Sequence, residues 1–140
     1  MRLRETGLAQ AETILIAVSD GILADSLRFS LELEGFETRF CEEHSLLATM
    51  SAPCVRGGCL VLDQDVFARM TDGAESQLFA DRGMPVVLMV SHITDRVVAR
   101  AEAAGITEVV EKPLLDGVLF VAIRQAIDSA AHSGPPGAAL

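Results

Sequence analysis

The stretch Cys59-Leu60-Val61-Leu62-Asp63 constrains the fold more than any other. Four apolar residues run unbroken into a carboxylate. A short apolar run without alternation suits a strand covered on both faces, as in a parallel sheet held between helices. Gly57 and Gly58 punctuate its start. A carboxylate at the carboxyl end of such a strand falls where open α/β sheets bind their ligands. Taken alone, the same residue serves equally well as a cap for the next turn, and Asp65 follows two positions later.

The remaining chain supplies partners for that strand. Thr13–Val18 reads as a first buried strand, with Ser19-Asp20-Gly21 turning the chain. Leu23–Glu34 places Leu23, Leu27, Phe29, Leu31 and Leu33 near helical spacing, and Gly35 stops it. Phe36–Phe40 is a short strand and Ser45–Met50 a weak helix. After Asp63 the chain shows no regular pattern until a helix expected at Ala74–Arg82. Pro85–Val90 is the most strand-like run, followed by Ser91 and His92. Thr94 or Asp95 is placed to cap a helix reaching Ala104, which Gly105 ends. Val109-Val110-Glu111 forms a fifth strand before Lys112-Pro113, and Leu115–Ala131 is the longest helix. Alternating strands and helices predict an α/β fold, a five-stranded doubly wound parallel sheet with helices on both faces. Right-handed crossovers gather the carboxyl strand ends on one edge. Residues 1–12 read as a flexible leader, 13–131 as one domain, and 132–140 as a disordered tail.

With 140 residues and 50% hydrophobic side chains, but no Trp or Tyr, the core is aliphatic. A net charge of −9 argues against nucleic-acid binding and against anionic membrane surfaces. Cys41, Cys54 and Cys59 carry no CxxC or His/Cys metal pattern, and suit a reducing, cytoplasmic setting. No apolar run approaches membrane-spanning length.

The expected edge collects Ser19-Asp20, Asp63, Ser91-His92 and Lys112. A carboxylate, a hydroxyl and an ammonium are what phosphoryl transfer to an aspartate needs. The carboxylate attacks phosphorus, and the other two stabilise charge on the transferred oxygens. Leu60-Val61-Leu62-Asp63, Ser91 after the fourth strand, Glu111-Lys112-Pro113, and the run Asp25-Ser26-Leu27-Arg28-Phe29 with Glu34-Gly35-Phe36 together resemble a response-regulator receiver domain of two-component phosphorelay signalling. The resemblance covers Thr13 to about Ile127. It implies the flavodoxin-like strand order 2-1-3-4-5. It also implies a non-enzymatic phosphoprotein carrying an aspartyl phosphate on Asp63, with Ser91 as switch hydroxyl and Lys112 as phosphoryl contact. Its partners would be a histidine kinase or phosphotransfer protein and a downstream protein, with a homodimer as a further option and no nucleic acid or membrane.

The chain departs from the family pattern in four places. Val18 and Ser19 stand where an acidic pair is expected, and Asp20 falls one place late. The loop after Asp63 is longer than usual. Val109 replaces an aromatic switch residue, and His92 follows Ser91 where a small residue is common. Magnesium, the family's cofactor, would then have Asp20, Asp63 and Asp65 as candidate ligands and bind weakly. Without metal, Asp63 is expected to pair with Lys112. Two alternatives stand beside the phosphoacceptor reading. One is a receiver-like interaction module that works without phosphorylation. The other is a haloacid-dehalogenase-type phosphohydrolase using Asp63 and Asp65, disfavoured because a βαβ unit precedes the motif.

Overall fold

A computed structural model describes residues 12–42, 58–70, 79, 84–112 and 117–133. Five strands, β1 (Thr13–Ala17), β2 (Glu37–Phe40), β3 (Cys59–Asp63), β4 (Val86–Val90) and β5 (Glu108–Glu111), form one sheet in the order β2-β1-β3-β4-β5. Every neighbouring pair is parallel. The helices among the described residues are α1 (Gly21–Leu33), α2 (Gln64–Met70), α3 (Asp95–Ala104) and α4 (Val118–Ser133). The expected fold class and strand order are those observed.

Apart from Thr13 at the start of β1 and Asp63 at the end of β3, the three central strands are apolar because they are covered on both faces, and their side chains divide by alternation. Ile14, Ile16, Cys59, Val61, Val87 and Met89 pack with α1 and α4. Leu15, Ala17, Leu60, Leu62, Leu88 and Val90 pack with α2 and α3 on the other face. Full burial of each Leu, Ile, Val or Met among these contributes about 1.5–3 kcal/mol. β2 and β5 are the edges, and their exposed charged residues Glu37 and Glu111 fit that position.

Helix signals explain most boundaries. Asp20 caps α1 and Thr94 caps α3, each side chain accepting from a first-turn amide. Gly35 and Gly105 adopt positive φ of 96° and 87° where the helices end. The chain after Asp63 does not match the irregular segment expected there, since α2 begins directly at Gln64. Val66 and Phe67 on α2 are buried against β3 and β4. The strand ends and the helix starts at one residue, with no Gly or Pro to mark the change. The expected helices at Ser45–Met50 and, apart from Phe79, Ala74–Arg82 lie outside the described residues, as do positions 1–11 and 134–140. Glu12 is tied down: Arg124 on α4 donates to its Oε1 at 2.6 Å, and its carbonyl accepts from the Glu37 amide. α4 spans Val118–Ser133, and the start expected at Leu115 lies outside the described residues.

Candidate functional site

The strand order reverses between β1 and β3, and in doubly wound sheets the crevice at that reversal is the ligand position. Ser19 follows β1 and Asp63 ends β3, so the two flank it. Asp63 is 2% exposed and is the one charged side chain buried among the described residues. A carboxylate so placed needs hydrogen-bond donors or a counter-charge.

Three donors meet it, all from the chain. The Ser19 backbone N–H and hydroxyl both donate to Oδ2, at 2.9 and 2.8 Å. The Val66 N–H donates to Oδ1 at 2.8 Å. The Val66 bond is an N-cap contact from residue i to i+3, so Asp63 caps α2. The Ser19 bonds span the crevice. Capping and contact across the crevice are therefore carried out by the two oxygens of one carboxylate.

Asp20, next to Ser19, turns away from that carboxylate in function. Its Oδ1 accepts from the Ile22 and Leu23 amides at 2.9 and 3.2 Å, while its carbonyl accepts from Ala24. Asp65 is exposed in the first turn of α2. Among the described residues no three His, Cys, Asp or Glu side chains come together as a metal cluster. Magnesium demands anionic oxygens in octahedral array. Here Val18 offers no ligand, the Ser19 hydroxyl is a donor to Asp63, and one oxygen of Asp20 is engaged in a cap. These residues do not fit a tight magnesium site.

Ser91 and Lys112 follow β4 and β5 on the same sheet edge as Asp63. The Ser91 amide donates to Oε1 of Gln64 at 3.1 Å, which bridges the start of α2 to the loop after β4. Lys112 is held by its own amide, which donates to the Val90 carbonyl at 2.8 Å. The expected ion pair with Asp63 is not formed: among the described residues, the donors on Asp63 are Ser19 and Val66. Hydrogen bonds from Ser19 meet the demand that the ammonium was expected to meet. His92 is exposed, with Nδ1 4.0 Å from Glu111, and Val109 is half-buried against the α2–α3 cluster.

Asp63 as a cap for the next turn was one of the two expected roles, whereas Gln64 and the helix that Asp63 starts escaped the sequence reading. Asp63 followed by Val66 and Phe67 is the signal that could have shown that helix. The local signal for Ser19 was weaker, since its partner lies 44 residues away.

No family model matches the chain. Over 87 residues, 62% of the chain, it is 28% identical to the transcriptional regulator protein FixT of Rhizobium meliloti (strain 1021), covering 72% of that protein. Among solved structures it resembles a CheY-like response-regulator receiver domain from Methanospirillum hungatei JF-1. The TM-score is 0.68 at 18% identity, covering 89% of this chain and 100% of the other. It also resembles FixJ-N, with a TM-score of 0.65 at 26% identity over 86% of this chain and 96% of that one. The chain has the receiver fold of two-component response regulators, and its similar structures are receiver domains. No helix among the described residues is long and apolar enough to cross a membrane.

Proposed function

We propose that this domain is a non-enzymatic receiver-type module of two-component signalling that acts through protein contacts and depends little on phosphorylation. The observation that supports this is the hydrogen-bond set on Asp63. Both of its oxygens are engaged by the chain's own donors. A phosphoryl donor must reach one of those oxygens as a nucleophile, and three of the carboxylate's roughly four acceptor positions are already bonded. The cation that would draw donor and carboxylate together lacks its usual anionic ligands. The protein partners this reading implies are a histidine kinase or phosphotransfer protein and a downstream effector in the cytoplasm.

A second reading, slow acceptance of a phosphoryl group on Asp63 with Ser91 and Lys112 as helpers, is favoured by one feature. These residues sit at the carboxyl ends of adjacent strands β3, β4 and β5. Under it, Asp20 and Asp65 would be the residues left to assist a weakly held magnesium. Intact mass after incubation with a small phosphodonor, with and without magnesium, separates the two. The first reading expects no stoichiometric gain of a phosphoryl group. A full, magnesium-dependent gain abolished by Asp63→Asn would overturn it in favour of the second.

A further inference from the structure

We propose that the state of the Asp63 carboxylate is transmitted to α1, through Ser19 and Asp20, rather than to the α3–β5 side of the sheet. The proposal does not depend on phosphorylation of Asp63, so it stands or falls separately from the function proposed above.

The path is short and consists of hydrogen bonds. Oδ2 of Asp63 holds the amide and hydroxyl of Ser19. The next residue, Asp20, has extended backbone and holds the first turn of α1 through its side chain and its carbonyl. One peptide unit therefore joins the buried carboxylate to the cap of a 13-residue helix. A cap forms only while its residue keeps non-helical dihedrals, so displacement of Ser19 disturbs the geometry that Asp20 needs.

Toward the other side of the sheet, no path among the described residues starts from the carboxylate oxygens themselves. Asp63 makes no side-chain hydrogen bond to β4, α3 or β5 among the described residues. The bridge to Ser91 comes from the side chain of Gln64, not from the carboxylate. α3 is capped independently by Thr94, whose Oγ accepts from Val97. Val109 on β5 is too small to swing between inward and outward positions as an aromatic side chain would, and it already packs against the core.

α1 is also where a shift would change the surface. Ile22, Phe29 and Leu33 on this helix are 82%, 67% and 73% exposed. They line up on its outer face at spacings of seven and four. On the α4 side, Leu23, Ser30 and Leu33 of α1 face Phe120 across a groove of about 370 Å³. Moving the first turn of α1 displaces Ile22 and Leu23 together, altering both the stripe and the groove.

Site-resolved amide hydrogen exchange on the full chain tests this, using the native protein, Ser19→Ala, Ser19→Thr and Asp63→Asn. In Ser19→Ala, the Ile22, Leu23 and Ala24 amides should exchange about fivefold faster, the factor that one hydrogen bond is worth. Ser19→Thr keeps the hydroxyl on an exposed residue and should restore native rates. Asp63→Asn should accelerate the same amides together with Val66. Val97 and Val98 at the start of α3 should keep native rates in every variant. Three results would overturn the proposal. They are unchanged α1 amides in both Ser19→Ala and Asp63→Asn, an equal acceleration at the starts of α1 and α3, and changes centred on residues 95–111.

Discussion

Replacing Asp63 by Asn should destabilise the domain, and the sign of the effect is the informative part. In a pocket where the phosphoacceptor faces two further carboxylates, removing one negative charge relieves repulsion. Here the carboxylate faces donors: Ser19 N–H, Ser19 O–H and Val66 N–H, all within 2.9 Å. Asn offers one oxygen and one NH2. If the oxygen keeps the α2 cap, the NH2 meets the Ser19 amide, donor against donor. If the side chain flips, the cap is lost instead. The Ser19 hydroxyl can rotate to accept, so one amide bond is lost and the others weaken from charged to neutral. One lost bond to a charged group is worth about 1.5–3 kcal/mol, and relief from burying a charge offsets part of it. A net loss of about 2 kcal/mol follows, or a fall of about 1 M in the urea midpoint at an ordinary slope for a small domain. Ser19→Ala alone should cost about 1 kcal/mol, and much less once Asp63 is already Asn, so the double-mutant cycle reports their coupling. Urea unfolding followed by circular dichroism at pH 7 measures all four proteins. An Asp63→Asn midpoint equal to or above the native one would refute the account, because the three bonds would then not outweigh the burial of the charge.

Replacing Val18 and Ser19 together by Asp should tighten magnesium binding by about tenfold or more, by adding anionic oxygens and withdrawing the Ser19 hydroxyl from Asp63. Calorimetric titration of both proteins checks this, and tight binding by the unmodified chain would contradict it. Gly58→Ala should lower the melting temperature by about 10 °C, because a Cβ there falls on the Thr13 carbonyl oxygen of β1 and backbone must move. Burial pushes the Cys59 thiol up to about 12 from 9.0. The unfolded thiol ionises above about pH 9 while the folded one keeps its proton, so this contribution is intact below pH 9 and is lost as pH rises towards 12, at up to about 1.4 kcal/mol per unit. Denaturant melts of Cys59→Val across that range should lack this slope, and a slope equal to the native one would contradict the assignment.

The sheet was legible because burial on two faces leaves an unbroken apolar signature, and Cys59–Leu62 and Val86–Val90 carry it plainly. α1 and α3 were legible from Asp20, Thr94, Gly35 and Gly105, whose roles are set by neighbours within a few residues. α2 was missed because Asp63 both ends a strand and starts a helix, and a turn was expected between them. The composition of the site was readable, but its bonding was not. Ser19 counted as an absent acid, whereas its hydroxyl and amide reach a carboxylate 44 residues away. Such a contact depends on how β1 and β3 register, Ala17 beside Leu62, and on the path of the loop beyond. Lys112 was expected to fill the same need because a charged partner is the more obvious one in a sequence.

A buried carboxylate at a sheet's switch point has two broad routes to stability. Cations can neutralise it, or a ring of N–H and O–H donors can solvate it. With cations, the carboxylate stays available to a ligand, since a metal or ammonium exchanges with water and with other oxygens. Donors from the chain hold it as part of the fold. In this chain donors meet the carboxylate, two of them from Ser19 and one from Val66. A carboxylate at position 19 would repel Asp63, whereas the serine bonds it. The same residue then ties Asp63 to the α1 cap, while the other oxygen caps α2. One side chain thus caps α2 directly and bonds the residue beside the α1 cap, so perturbing Asp63 should have structural consequences even where no phosphoryl group is transferred.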